Sequence, residues 1–351
     1  MSSRTDSGVP LRVVFLGSDG IALPMLDWIV NQAVGKVVIA GVFTQPDRPA
    51  GRGQKALPNA IKGWAVKHGF PVFQPERIDV GVGGKLLDLK PDLSLVMAYG
   101  HILRDDFIGI PRLGTLNLHT SLLPKYRGAS PIQTAIAADE KESGVTLMRI
   151  IRALDAGPIA DREVVRIESA DTALELEARL SNACVPLMAR AISRLLEGAL
   201  EFAEQNPNIA SYCRRLSKED GALDFGRPAA ELAARIRGLY PWPGCVIELG
   251  GVKIKLGLAE AKSDLPPELA ERAAQAGIAS APGTVMGQTH EGLWMATGQG
   301  FVILQRLQRP GGRMLPALEF LRGFVVEAGW IVTSNVMAPL VAAQPFPHRP
   351  R

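Results

Sequence analysis

Residues 11–17 read LRVVFLG, an apolar run rich in β-branched and aromatic side chains and closed by a glycine. The run is too short for an ordinary helix and shows little polar alternation, so it predicts a strand buried on both faces. Working outward, the chain changes period again and again. Helical spacing is read at 23–32, a strand at 36–44, helices at 60–68 and 85–89, and a strand at 93–99. A strand at 113–118, a helix at 132–138, a strand at 145–150 and an edge strand at 164–167 follow. Apolar strands alternating with amphipathic helices predict an α/β fold: a doubly wound, mainly parallel sheet covered on both faces. In such sheets the site lies beyond the carboxyl ends of the strands. Gly17-Ser18-Asp19-Gly20 lacks the GxGxxG spacing, so no dinucleotide site is read after the first strand.

A long helical stretch at 173–196 carries Pro186, where an interruption is expected. The pattern then changes near 201–208. A helix at 229–237 precedes two short runs, 246–249 and 252–258, split by Gly250-Gly251, which is a strong hairpin signal. Further strands are read at 283–286, 293–296 and 301–307, and the Ala/Glu/Pro-rich stretch 259–281 reads as a loop or a marginal helix. Short strands with Gly-rich turns predict a smaller β-barrel after the sheet domain. The chain is therefore divided into a disordered leader at 1–10, a sheet domain at 11–200, a linker at 201–215, a barrel at 216–330 and a flexible tail at 331–351.

Bulk composition sets outer bounds. The 351 residues suffice for two domains, and 47% hydrophobic with 21% charged residues is the make-up of a soluble globular chain. No apolar run approaches the length of a membrane span, and the N-terminus lacks a secretory pattern. Cys184, Cys213 and Cys245 lie far apart and form no CxxC pair, which fits a reducing compartment and gives no cysteine metal site. A cytoplasmic monomer without metal is expected. The net charge of +4 is unevenly spread: five Lys/Arg and no acid fall between Arg48 and Pro75. Such a local excess suits a phosphate-rich partner, although a solvated surface is about as good a reading of charge alone.

Residues 116–127 read LNLHTSLLPKYR, and the turn Leu154-Asp155-Ala156-Gly157 follows later. Asn117 and His119 are two apart, so on an extended strand they share one side while Leu116 and Leu118 take the other. An amide, an imidazole and the carboxylate of Asp155 together suit acyl-type transfer, in which an oxyanion is stabilised and a proton moved. Each residue taken singly has a structural explanation: a core histidine, a turn asparagine, an Asp before Ala-Gly as a turn former. The set together favours catalysis.

LNLHTSLLPKYRGASPIQTAI at 116–136 and GVTLMRIIRALDAGPIA at 144–160 resemble the formyl-tetrahydrofolate formyltransferases. The family pattern runs Asn-x-His, SLLP and a later Asp, and His119 to Asp155 fits its spacing. TQPDRPAGRGQKALPNAIK at 44–62 is similar to the basic loop of those members that formylate methionyl initiator tRNA. Leu216-Ser217-Lys218-Glu219-Asp220, Leu223-Asp224-Phe225 and Tyr240-Pro241-Trp242-Pro243 match their second domain. The resemblance spans about residues 11 to 325. The first turn departs from the family's usual GTPxFA.

The resemblance implies a Rossmann-like formyltransferase domain followed by an OB-like barrel that binds tRNA. It also implies 10-formyltetrahydrofolate as co-substrate and methionyl initiator tRNA as acceptor. Asn117 and His119 would donate to the oxyanion, with Asp155 fixing the imidazole. Ser121, Leu122, Leu123 and Pro124 would lie against the folate, with Met97, Tyr99 and Gly100 on the pterin side. Arg48, Arg52 and Lys55 would meet tRNA phosphates. The same catalytic core occurs in formyltransferases acting on amino-sugar nucleotides, so the acceptor rests on the basic loop.

Overall fold

The structure, a computed structural model, describes residues 9–50 and 55–347. Arg52, residues 1–8 of the expected leader and residues 348–351 of the expected tail lie outside the described residues. Two compact units are present. One takes in the chain up to Arg127 with Ser143–Val165 and Glu177–Ala210; the other takes Gly128–Glu142, Arg166–Leu176 and the chain from Ser211 onward.

The first elements in chain order are β1 (Leu11–Gly17), α1 (Leu23–Gln32), β2 (Val37–Phe43), β3 (Arg48–Ala50), β4 (Lys55–Leu57), α2 (Ala60–Lys67), β5 (Val72–Phe73) and α3 (Val80–Asp88). There follow β6 (Leu93–Met97), α4 (Asp105–Ile108), β7 (Thr115–His119), β8 (Arg127–Gly128), α5 (Pro131–Ala137), β9 (Glu142–Arg149), β10 (Ile159–Arg166) and α6 (Ala173–Leu196). A seven-stranded sheet runs β10-β9-β7-β6-β1-β2-β5. The pairs β1–β2, β2–β5, β1–β6 and β6–β7 are parallel, and β7–β9 is antiparallel. The chain moves out from β1 to β2 and β5, then returns on the far side of β1 to lay down β6 and β7. That reversal puts a switch point between β1 and β6, where the Ser18 N–H donates to the Ala98 carbonyl at 3.2 Å. Val14, Leu16, Phe43, Val96 and Phe107 are buried together beneath it.

Two helices differ from the sequence expectation. α3 begins five residues earlier than the 85–89 segment suggests, because Asp79 accepts a capping bond from the Val82 N–H at 3.0 Å. The cap and the burial of Val82 and Leu86 outweigh the poor helix propensity of Gly81, Gly83 and Gly84. α6 runs unbroken through Pro186. Leu176, Leu180, Cys184, Leu187, Met188, Ala191 and Ile192 are all buried, at helical spacing. That continuous apolar stripe offsets the hydrogen bond the proline removes, a loss of roughly 3 kcal/mol.

The second unit holds β11 (Tyr212–Cys213), α7 (Ala229–Leu239), β12 (Cys245–Leu249), β13 (Val252–Lys262), α8 (Pro267–Gln275), β14 (Val285–Thr289), β15 (Gly292–Ala296), β16 (Phe301–Gln308), β17 (Leu315–Pro316), α9 (Ala317–Arg322) and β18 (Val341–Ala342). Its main sheet is antiparallel, in the order β12-β13-β16-β15-β14. Gly250 and Gly251 both have positive φ, 54° and 77°, as the tight β12–β13 turn demands. Of the stretch expected as a loop or marginal helix, the start continues β13 to Lys262 and a helix does form at α8, whose Leu269 and Ala273 bury beside Trp294 and Ile303. The tail expected from 331 onward is also corrected in part. Val332 and Leu340 are buried, the Asn335 N–H donates to the Leu223 carbonyl at 2.8 Å, and β18 pairs with β11. Two apolar side chains with a core position to fill suffice to fix a segment whose composition reads as mobile.

Candidate active site

β7 is paired on both edges, to β6 over Thr115–Asn117 and to β9 over Leu116–His119. Leu116 and Leu118 are buried. The alternation then presents Asn117 and His119 together on the opposite side, at the carboxyl end of a parallel strand. Asn117 is half-buried, and its amide has no hydrogen-bond partner among the described residues. His119 is buried, and its Nε2 lies 2.8 Å from the Tyr126 carbonyl. A carbonyl only accepts, so Nε2 carries the proton. Nδ1 therefore points the other way, and it faces Asp155 Oδ2 at 3.7 Å. The structure thus brings His119 and Asp155 together, at ion-pair rather than hydrogen-bond distance. It also engages Nε2 with backbone, which leaves the Asn117 amide as an unpaired donor among the described residues and Nδ1 as the ring nitrogen that faces Asp155.

The Asp155 turn is built with little slack. Asp155 itself has φ 46°, in the left-handed region that most side chains avoid. Gly157 has no such φ; its need is space, since a Cβ there would lie 1.9 Å from the Arg149 carbonyl at the end of β9. The Gln205 side-chain amide donates to the carbonyls of Asp155 and Gly157 at 2.9 and 2.7 Å. Its Oε1 accepts from Arg127 Nε and Nη2 at 3.2 and 2.8 Å. Neither the Tyr126 carbonyl nor Gln205 figures in the reading of the sequence. The first is backbone, and the second lies in a segment with no periodic signal. A buried arginine seeking a partner would have pointed to Gln205, but burial of Arg127 is not legible from LPKYR.

The SLLP segment is clamped by Thr146, the residue of β9 opposite His119. Thr146 Oγ1 donates to the Ser121 carbonyl at 2.7 Å and accepts from the Leu123 N–H at 3.1 Å. Ser121, Leu123 and Pro124 are buried, Leu123 beside Met148 and Ile159, and Leu122 is half-buried. On the next strand, Met97 is buried with its sulfur 4.0 Å from that of Cys184. Tyr99 is buried too, its hydroxyl unpaired among the described residues, and burial pushes its phenol far up. What this strand end offers outward is backbone, at Ala98 and Gly100, both with positive φ. Gln45 steadies it by donating to the Tyr99 carbonyl at 3.0 Å.

The basic stretch is an antiparallel hairpin, β3 with β4, rather than a loop. At its base Asp47 bonds Lys62 at 2.5 Å and Gln74 at 2.8 Å. Those bonds, Lys62 first and Gln74 second, hold the Asp47 carboxyl below its ordinary range. Lys62 is thereby drawn out of the set of open cations. Arg48 is exposed and meets Glu76 at 3.4 Å. Lys55 begins β4. In the second unit Lys255 donates to the Pro241 carbonyl at 2.6 Å, and Arg309 sits over the Phe320 and Phe324 rings. Among the described residues no cluster of His, Cys, Asp or Glu could hold a metal ion, and no helix is long and apolar enough to cross a membrane.

An amide and an imidazole stand at one strand end, with a carboxylate facing the ring, and the chain belongs to the formyl transferase family. Residues 11–192 match the formyl transferase domain and 215–325 the formyl transferase C-terminal domain. Within that family the chain falls with the methionyl-tRNA formyltransferases. It is 40% identical to methionyl-tRNA formyltransferase of Pseudomonas fluorescens (strain SBW25) over 307 residues, 87% of this chain and 92% of the relative. With that of Pseudomonas fluorescens (strain Pf0-1) the identity is 39% over 339 residues, 95% of this chain and 99% of the relative. The fold is shared with a solved N-formyltransferase of Helicobacter canadensis in complex with folinic acid and dTDP-3-aminofucose. The TM-score there is 0.61 at 20% identity, covering 86% of this chain and all of the other.

Proposed function

We propose that the chain transfers the formyl group of 10-formyltetrahydrofolate to the α-amino group of methionyl initiator tRNA, as a cytoplasmic enzyme. The observation that carries this reading is the convergence of Asn117, His119 and Asp155 at the end of β7, in a chain whose relatives are methionyl-tRNA formyltransferases.

The neutral amine attacks the formyl carbon, and a C–N bond forms. The carbonyl oxygen takes the negative charge, which the open Asn117 amide meets with an N–H donor. Loss of one such donor typically costs ~2.7–4 kcal/mol in the barrier. The amine nitrogen gives up one proton to the Nδ1–Asp155 pair. As the tetrahedral intermediate collapses, the C–N10 bond breaks and N10 takes a proton from the same pair. Atoms and charge balance: the formyl group moves one way and a proton the other. Nε2, bonded to the Tyr126 carbonyl, keeps the ring from turning while its other nitrogen works.

Ser121, Leu122, Leu123 and Pro124, with the Met97, Tyr99 and Gly100 strand end, form the folate side in this reading. Most of them are buried, with Leu122 half-buried and Gly100 exposed, which suits a rigid wall rather than a set of polar hooks. Arg48, Arg52 and Lys55, the cations of the basic stretch, supply phosphate contacts in this reading. Residues 11–200 are the catalytic part, 201–215 the connection and 216–330 the tRNA-binding part. Incubation of the purified protein with radiolabelled 10-formyltetrahydrofolate should put label on methionyl initiator tRNA and none on a 3-amino-sugar nucleotide. Label on the sugar nucleotide alone would reject this acceptor.

A further inference from the structure

His119 and Asp155 come from segments far apart in the chain, and the distance between them must be set by something. Their supports converge on two consecutive residues. Tyr126 accepts from His119 Nε2 through its carbonyl, and Arg127 donates twice to Gln205 Oε1. The other end of the same Gln205 amide donates to the carbonyls of Asp155 and Gly157. Both Gln205 and Arg127 are buried, at 9% and 4% exposure, so these bonds are made away from water, where they hold geometry best. The neighbouring residues reinforce the dock. Ala203 and Ile159 exchange backbone bonds at 2.8 and 2.9 Å, and the Arg149 guanidinium lies 4.4 Å from the centre of the Phe202 ring.

We propose that Gln205 is a positioning residue for the formyl transfer. It fixes the Asp155 peptide relative to the segment that orients His119, and so sets the Nδ1–carboxylate distance. A glutamine suits the task because one planar group must accept from a cation on one side and donate to two carbonyls on the other. The two Gln205 bonds brace the turn at Asp155, whose φ of 46° is left-handed, and at Gly157 beyond it. The proposal rests on the catalytic reading of Asp155 given above.

The test uses full-length protein carrying Gln205→Glu or Gln205→Met, each made with and without Asp155→Asn. Gln205→Glu keeps the acceptor for Arg127 but sets a carboxylate against two carbonyl oxygens; Gln205→Met keeps the volume and loses both functions. The chemical step is followed in single turnover with both substrates saturating, alongside substrate affinities and the thermal midpoint. A displacement of about 1 Å can cost on the order of 100-fold, so the chemical step should slow by roughly 10- to 100-fold. Affinities should stay within about twofold, and in the Asp155→Asn background the further loss should shrink to under about threefold, as expected of residues acting as one unit. An equal loss in both backgrounds, or no loss with Asp155 present, overturns the positioning role. If Asp155→Asn alone leaves the chemical step intact, the catalytic reading of Asp155 falls and this role falls with it. Should Gln205→Met fail to fold, Gln205→Glu decides.

Discussion

Two segments follow the carboxyl ends of parallel strands and carry the polar residues that stand out in the chain: the end of β7, and the β3–β4 hairpin beyond β2. They are built on opposite terms. At β7, His119 is held by the Tyr126 carbonyl and faces Asp155, whose turn is held by Gln205, while Thr146 clamps the SLLP segment. At the hairpin, Arg48 is exposed on a side chain 68% open to solvent, and Glu76, its partner, is as open. The contrast fits the tasks proposed for the two segments. Moving a carbon between two nitrogens needs atoms fixed to a fraction of an ångström. Attracting a polyanion needs only charge in the right region, free to adapt.

The largest expected effect lies at the fixed end. His119→Ala should slow the chemical step by ~10²–10⁴-fold, the usual weight of a positioned acid–base group. A loss of less than tenfold in single turnover would remove the ring from the chemistry and erase the contrast. Next comes Gly157→Ala, whose Cβ would meet the Arg149 carbonyl at 1.9 Å. Overpacking of this kind costs about 1–3 kcal/mol, so the thermal midpoint and the transfer rate should fall together. An unchanged midpoint would show the turn to be looser than described.

Effects at the hairpin should be smaller and of another kind. Arg48→Ala should leave the chemical step alone and lower the slope of log affinity for tRNA against log salt by about 1. A changed chemical step with an unchanged slope would reverse the comparison. Smallest is a pH effect at the hairpin base. Lys62 and then Gln74 hold the Asp47 carboxyl below its ordinary range. A depressed folded value stabilises above the unfolded pKa of about 3.9, and that contribution is lost as pH falls through the folded value. Protection of the Lys55–Leu57 amides, taken relative to the intrinsic exchange rate at each pH, should therefore fall in acid, and should already be low at neutral pH in Asp47→Asn. Identical pH profiles for the two proteins would detach Asp47 from the hairpin.

How much of this was legible in the sequence differs by the range of the interaction. The parallel strands, the β12–β13 hairpin and the Asn117–His119 pair are local patterns, and period and turn residues specify them. Asp155 as a third partner rests on the chemistry of the set and on the spacing of the family it resembles, while its turn signal alone speaks for a structural role. Gln205 and the Tyr126 carbonyl were not legible, because their roles depend on which distant backbone they meet. The packing of Val332 and Leu340 was missed for the same reason: composition reads a tail, while tertiary burial decides it. Arg48 was legible as charge, yet the pairing of Lys62 with Asp47 that thins the basic patch was not.

In the proposed function the β7 end performs the chemistry and the hairpin only gathers the substrate, and that division of labour can be measured. It is tested most directly by a single-turnover transfer from 10-formyltetrahydrofolate to methionyl initiator tRNA, run side by side on Asn117→Ala and Arg48→Ala over a range of tRNA concentrations. The expected result is a saturating rate lowered by ~10²–10³-fold for Asn117→Ala with the half-saturating concentration unmoved, and the converse pattern for Arg48→Ala. A near-normal saturating rate for Asn117→Ala would remove the β7 end from the chemistry.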